Sequence, residues 1–265
     1  MQLFGPIVRL TDKKELKKNR MIMKQTALWL VGGMMMLTSC HVKMNGWERT
    51  DPSDVIVEQE YKLEPFTEVT SRVLSNVQLV QSDTKNGVVT ISAPDNYIEL
   101  FKFESKDGKL DIDFIRDNIN IDSEHVNITV YTTDLTKVRN TGAASVSLDS
   151  LDTDILTVEN SGVGSFRLRK ILADQVRVSC TGVGSITIDG ETLEAELTCS
   201  GVGSISASSL KAKNVKANVT GVGGITCYAS DTIDGKVTGV GSLKYAGHPK
   251  QRYLNKPFTG SISEL

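Results

Sequence analysis

Aromatic residues make up only 6% of the 265-residue chain, and proline occurs six times. A core with so few rings has to be filled by many aliphatic side chains. Cysteine is rare too, at four residues with no CxxC pair, which gives neither a dithiol redox motif nor a zinc site. The three histidines, His41, His125 and His248, are isolated in sequence. The apolar run from Ala27 to Leu37 has 11 residues, well short of the ~20 that a membrane-spanning helix needs. A basic surplus is missing as well. Residues 1–39 hold seven Lys/Arg and two Asp/Glu, which leaves 23 basic and 30 acidic residues beyond them, a net of −7. That balance argues against nucleic acid as a partner, because such binding needs a basic surface.

What is present begins with a leader. Lys24 precedes the apolar run, and "LTSC" follows it, ending at Cys40. A positive start, a short apolar stretch and small residues before the cut describe a secretory signal. Thr38 and Ser39 directly before a cysteine resemble the lipobox of bacterial lipoproteins, which implies lipid on Cys40 and a membrane partner through that lipid. Residues 1–20 are an upstream extension in this reading, since Met21 or Met23 gives a normal signal length. The expected organisation is a leader at 1–39, a tether at 40–60, an N-terminal β region at 61–135 that caps or begins a solenoid, and Gly-rich repeats with a C-terminal cap at 136–265.

From Tyr61 to Leu135, "RVLSNVQLVQ", "GVVTISA", "KLDIDFI" and "HVNITVY" alternate with period 2, and Asn86-Gly87 and Asp107-Gly108 mark turns. "PDNYIELF" predicts one short helical turn opened by Pro94. After Leu135 a Ser/Thr-Gly step recurs at Thr141, Ser161, Thr181, Ser200, Thr220 and Thr238, at intervals of 20, 20, 19, 20 and 18. A period near 20 with β-type residues predicts an all-β solenoid, a right-handed β-helix with about 20 residues per coil. Before each glycine the inward residues are Val138, Val158, Val178, Leu197, Ala217 and Gly235, then Asn140, Asn160, Cys180, Cys199, Val219 and Val237. After it they are Val146/Leu148, Phe166/Leu168, Ile186/Ile188, Ile205/Ala207, Ile225/Cys227 and Leu243/Tyr245. Leu151, Leu172, Leu193 and Leu210 are expected as a third inward anchor. Asn140 and Asn160 form an asparagine ladder. Cys180 and Cys199 continue that column as buried free thiols, in positions that also admit a disulfide.

The repeated "GVG" has three possible roles. A phosphate loop needs a helix after the glycines, and here a β segment follows each time. A calcium turn needs an aspartate, and the matching place holds Ser165, Ser185, Ser204, Gly224 or Ser242. The remaining role is conformational, with glycine allowing the corner dihedrals and a close approach of coils. No metal or cofactor is expected. Asp117, Asp122 and Glu124 form an acidic loop expected to be solvated.

These residues resemble the head GIN domain family, an adhesin-like group of envelope proteins of unknown function. The resemblance runs from Tyr61 to Ile262. It includes "YKLEPFTEVTSRVLSNVQLVQ", "DNYIELFKFESKDGKLDIDF", "VNITVYTTDLTKVRNTGAAS", the Gly-rich repeats, and the ending "GVGSLKYAGHPKQRYLNKPFTGSIS". It implies a β-helical fold and an envelope location, and it brings no catalytic residues. Many members repeat Gly-Ser-Gly or Gly-Thr-Gly where this chain has Gly-Val-Gly.

The expectation is a non-enzymatic, adhesin-like lipoprotein head that binds glycan or protein through an outer solenoid face. Glu159, Arg167, Thr187, Thr198, Ser206, Asn218 and Thr226 are the candidate face residues. A structural envelope scaffold without a specific ligand is the alternative, and a carbohydrate-active β-helix enzyme a more distant one. "HVKMN" after Cys40 lacks acidic residues, which favours the periplasmic face of the outer membrane over the surface. Oligomers are open.

Overall fold

The computed structural model describes residues 48–255 and 259–265. The leader, Cys40 and the start of the tether lie outside the described residues.

The N-terminal part contains β1 (Glu48–Thr50), β2 (Ile56–Lys62), β3 (Glu68–Ser71), β4 (Asn76–Gln81), β5 (Val88–Pro94), β6 (Phe101–Lys106), β7 (Lys109–Phe114), β8 (Ile119–Ile121) and β9 (Asn127–Thr132). The expected helical turn is Asp95–Ile98 with Pro94 as N-cap, and a 3-10 turn follows at Ser123–His125. Strands β2, β5 and β9 pair antiparallel, and β6 and β7 form a hairpin. Its turn residues Asp107 and Gly108 are both left-handed, at φ 49° and 75°, which matches the twist of the flanking strands. The scarce aromatic rings gather here: Tyr61 lies 4.9 Å from Phe103 and Phe101 5.0 Å from Phe114, between ring centroids.

The solenoid consists of β10 (Lys137–Asn140), β11 (Ser145–Leu148), β12 (Leu151–Asn160), β13 (Val163–Cys180), β14 (Val183–Cys199), β15 (Val202–Val219), β16 (Val222–Val237), β17 (Ser242–Ala246), β18 (Gln251–Asn255) and β19 (Ser261–Glu264). Successive coils pair in parallel and in register. Val138 faces Val158, Val158 faces Val178, Val178 faces Leu197, and Leu197 faces Ala217. The column after the glycines runs Val146, Phe166, Ile186, Ile205, Ile225, Leu243. All of these residues are buried. A single coil cannot bury its own apolar face, so stacking supplies the core, and each buried aliphatic side chain contributes about 1.5–3 kcal/mol.

The stack begins before the repeats do. β10 pairs on its other side with β3, and β3 with β7; β11 pairs with β4, and β4 with β9. The same columns thus continue into the N-terminal part as Val69, Val77 and Leu79.

The third inward anchor is corrected. Leu151 and Leu210 are buried, but Leu172 and Leu193 are 48% and 54% exposed. In register, Leu151 meets Ile171, Ile171 meets Gly190, and Gly190 meets Leu210. Irregularities between Leu168 and Ile171, and between Thr187 and Asp189, shift the register at this corner, so a leucine one residue later lands on the outside. A third set of inward residues, Leu156, Val176, Ala195, Val215 and Ile233, completes the core.

The corner glycines are explained by proximity more than by dihedrals. A Cβ on Gly182 would sit 2.0 Å from the Gly162 carbonyl oxygen, and one on Gly184 1.8 Å from that of Gly164. Gly184 also has a φ of 139°, whereas Gly182 has no positive φ. Each corner therefore lies directly on the backbone of the corner before it.

A polar column lines the inside of that corner. Asn140 Nδ2 donates to Asn160 Oδ1 at 3.0 Å, and Asn160 Nδ2 to the Gly164 carbonyl at 3.3 Å. Cys199 Sγ makes the same four-residue reach to the Gly203 carbonyl at 3.4 Å. The ladder is structural: side-chain donors satisfy carbonyls that the turn leaves free.

Candidate functional site

Outward positions follow from the same period-2 alternation, and the corner at the Ser/Thr-Gly step divides them into two faces. On the face before the corner lie Glu159, Thr198 and Asn218. On the face after it lie Arg167, Thr187, Ser206 and Thr226. The register stacks each set into a row, Arg139–Glu159–Ser179–Thr198–Asn218–Lys236 and Ser147–Arg167–Thr187–Ser206–Thr226–Lys244. Separate shallow depressions mark the two, one lined by Thr157, Glu159, Arg177 and Thr198, the other by Ser145, Ser165, Arg167, Ser185 and Thr187.

The two faces differ in electrostatics. Before the corner, charges cancel one another. Glu159 takes Lys137 at 2.9 Å and Arg139 at 3.6 Å, and Glu196 takes Lys216 at 2.9 Å and Arg177 at 3.9 Å. These partners sit on neighbouring coils, so each pair ties two coils together. Exposed pairs of this kind contribute at most about 1 kcal/mol each, and their charges are largely spent on each other.

After the corner there is no carboxylate in three adjacent outward rows. The nearest to the corner is a ridge of valine: Val163, Val183, Val202, Val222 and Val240, exposed at 58%, 51%, 59%, 60% and 71%. Next comes Ser145, Ser165, Ser185, Ser204, Gly224, Ser242 and Ser261 in continuous register. The third row carries Arg167, Thr187, Ser206, Thr226 and Lys244. Hydroxyls thus repeat at the spacing of parallel strands, roughly 4.8 Å. Among the described residues neither Arg167 nor Lys244 has a carboxylate within ion-pair distance. Singly exposed aliphatics are ordinary, but these valines form a contiguous apolar ridge beside polar rows. The valines were missed at the sequence level, although "GVGS" places four of the five two residues before an outward serine, Val222 preceding Gly224 instead.

The other sequence candidates are not brought to either face. Cys180 and Cys199 are register neighbours in the core, and both are free thiols, as is Cys227. The proximity of the two sulfurs raises the Cys180 thiol, as burial also does, and lowers Cys199 against the effect of burial. Burial alone pushes Cys227 up to about 12. His248 Nδ1 lies 2.8 Å from Glu264 Oε1 at the C-terminal end of the stack. Asp122 caps the 3-10 turn, its Oδ1 accepting from Glu124 N–H at 3.0 Å. Among the described residues no group of three His, Cys, Asp or Glu side chains is placed to hold a metal ion.

A family model described as "Putative auto-transporter adhesin, head GIN domain" matches residues 65–249. The chain belongs to this family. A solved structure of a "putative adhesin" from Bacteroides fragilis is 31% identical, with a TM-score of 0.78, covering 82% of this chain and 100% of that one. Two further structures share the fold at lower identity. A "putative lipid binding protein" from Parabacteroides distasonis has 20% identity and a TM-score of 0.65, covering 82% of this chain and 100% of that one. A "putative adhesin" from Parabacteroides merdae has 16% identity and a TM-score of 0.58, covering 82% and 99%. No curated protein matches the chain. The names carried by the head GIN family and its structural neighbours are those of adhesins or a lipid-binding protein, not of enzymes, and point to an envelope-associated protein of bacteria.

Proposed function

We propose that this head GIN domain is a non-enzymatic binding head at the cell envelope that holds glycan on the face after the corner. The observation that carries this reading is the carboxylate-free surface of valine, serine and threonine in register over the coils. Glycans offer hydroxyls that pair with such rows and C–H faces that rest on an apolar ridge. General acid/base chemistry on a sugar needs a carboxylate pair across the bond, and these three rows supply none. The face before the corner is less suited, because its charged groups already hold each other.

Glycan binding is tested on a broad array with the full chain in detergent, beside the Thr187→Asp variant. Thr187 is exposed, so the substitution leaves the core alone. Binding to at least one glycan class is expected, with a loss of about tenfold or more in the variant, the equivalent of ~1.4 kcal/mol. No binding across the array overturns the reading in favour of a structural scaffold. The proposed anchor is lipid on Cys40, on the periplasmic side of the outer membrane. Cys40→Ala should move the protein from the membrane to the soluble fraction. Unchanged retention removes the anchor.

A further inference from the structure

We infer that the glycan held on this face is a linear, anionic polysaccharide, bearing uronate or sulfate groups and lying along the solenoid axis between Arg167 and Lys244. This rests on the reading of the face as a glycan site and specifies its ligand. Three observations point the same way.

The first is charge. The rows headed by Val163, Ser165 and Arg167 contain two cations and no anion. On the face before the corner, by contrast, Lys137, Arg139, Arg177 and Lys216 are each held by a carboxylate. At the far corner beyond the third row, Asp149 is occupied by Arg169, whose Nε donates at 3.0 Å, and Asp189 accepts the Lys170 backbone N–H at 2.8 Å. With Lys170 itself the corner is balanced, so the face keeps a local excess of two positive charges. The acidic residues elsewhere on the chain act through a Debye length of about 8 Å at physiological salt, and contribute little here.

The second is periodicity. The rows repeat once per coil, and a β-linked pyranose chain advances per ring by a distance close to the strand spacing. Arg167 and Lys244 are four coil steps apart, roughly 19 Å at about 4.8 Å per step. A polymer in line with the axis can meet both cations and the hydroxyls between them, Thr187, Ser206 and Thr226. A compact ligand meets only one cation.

The third disfavours pairing of this face with the same face of a second copy. Two copies packed through this face would bring together surfaces with cations and no carboxylate. Like charges would be opposed and none would be paired, which is unfavourable at an interface.

The test uses the full chain in detergent and titrates size-defined linear glycans of one backbone type in neutral, uronate and sulfated forms. It includes Arg167→Ala, Lys244→Ala and the double variant, with thermal melting as the check on folding. Both side chains are exposed and unpaired, so melting should not change. Anionic chains should bind at least about tenfold tighter than neutral ones, and the advantage should fall as salt rises. It should be lost in the double variant, and should be weak for fragments too short to span both cations. Equal binding of neutral and anionic chains, or an advantage that survives in the double variant, overturns this inference and leaves the glycan face standing. Equally tight binding of poly-glutamate shows that the face reads charge alone and also overturns it. Absence of binding by every glycan removes the glycan face itself.

Discussion

Gly182→Ala should lower the melting temperature by about 10 °C. The methyl group would lie 2.0 Å from the Gly162 carbonyl oxygen and 2.7 Å from the Ser161 carbonyl carbon. Neither is a flexible side chain that can turn away, so two coils have to separate locally. Separation lengthens the hydrogen bonds that cross this corner, among them Gly182 N–H to the Asn160 carbonyl at 3.0 Å and Val183 N–H to the Gly162 carbonyl at 3.0 Å. Overpacking of this severity costs about 3 kcal/mol, and for a domain of this size ~1 kcal/mol shifts the midpoint by about 2–4 °C. Gly108→Ala separates the two possible causes. Gly108 has a φ of 75°, but nothing lies within 4 Å of its missing Cβ. The dihedral penalty alone is about 1 kcal/mol, which predicts a shift of only a few degrees. Differential scanning calorimetry of both variants checks the order. A larger loss for Gly108→Ala would show that left-handed backbone, and not coil contact, is the reason for glycine in this fold.

The same corner shows where the fold was open to view in the sequence and where it was hidden. Copies that keep the glycine were found, because glycine is visible and every coil contact requires it. One earlier copy was missed for the same reason. "VTSRVLSNVQL" at Val69 matches "VRNTGAASVSL" at Val138 position by position in its inward residues, Val69 with Val138 and Leu79 with Leu148. Beneath it β7 and β9 are joined by the longer connection 115–126 and not by a tight corner, so no matching glycine contact is made. On its other side the Cβ of Gly142 would meet Arg72 carbonyl atoms at 2.4 and 2.5 Å, so the constraint falls on the upper coil of each pair. Leu172 and Leu193 were misplaced because alternation is counted from the last known inward residue, and a one-residue irregularity resets the count.

For the candidate face, alternation decides inside or outside and nothing more. A three-sided coil has three outsides. Glu159 and Arg167 are both outward, yet a corner separates them, and the sequence does not state its angle. The charge pairing is a matter of neighbours one coil away. Glu159 reaches both Lys137 and Arg139, and only the stacked register makes those contacts visible. Once the faces are separated, the seven expected residues divide into three whose surroundings are already neutralised and four whose surroundings are not.

Removing residues 247–265 should turn the chain into a self-associating species, and the manner in which its end is closed says why. The deletion takes away β18 and β19. It bares the backbone edge of Thr232–Lys236 and of Ser242–Tyr245, with which they pair. It also uncovers Ile233, Leu243 and Tyr245, all buried in the intact chain. A flat, in-register edge over an apolar core is a template for another strand. In the last coil itself, the inward columns change character. Arg252 stacks on Ile233 and Glu264 on Tyr245, while Leu254 and Ile262 keep the apolar positions over Gly235 and Leu243. Arg252 and Glu264 meet at 3.3 Å, and the Arg252 guanidinium lies 5.9 Å from the Tyr245 ring centroid. The core thus ends on an ion pair, and a further strand laid on it would have to bury that pair, at a cost of several kcal/mol per ion before any gain. The double variant Arg252→Leu, Glu264→Leu keeps both strands and removes that barrier. Sedimentation velocity should show higher mass than the parent for both chains, with irreversible aggregation in the deletion and reversible, concentration-dependent association in the double variant. A deletion chain with parental mass and melting temperature would show that β18 and β19 do not close the stack. A double variant with parental mass would assign the closure to the strands alone, without the charges.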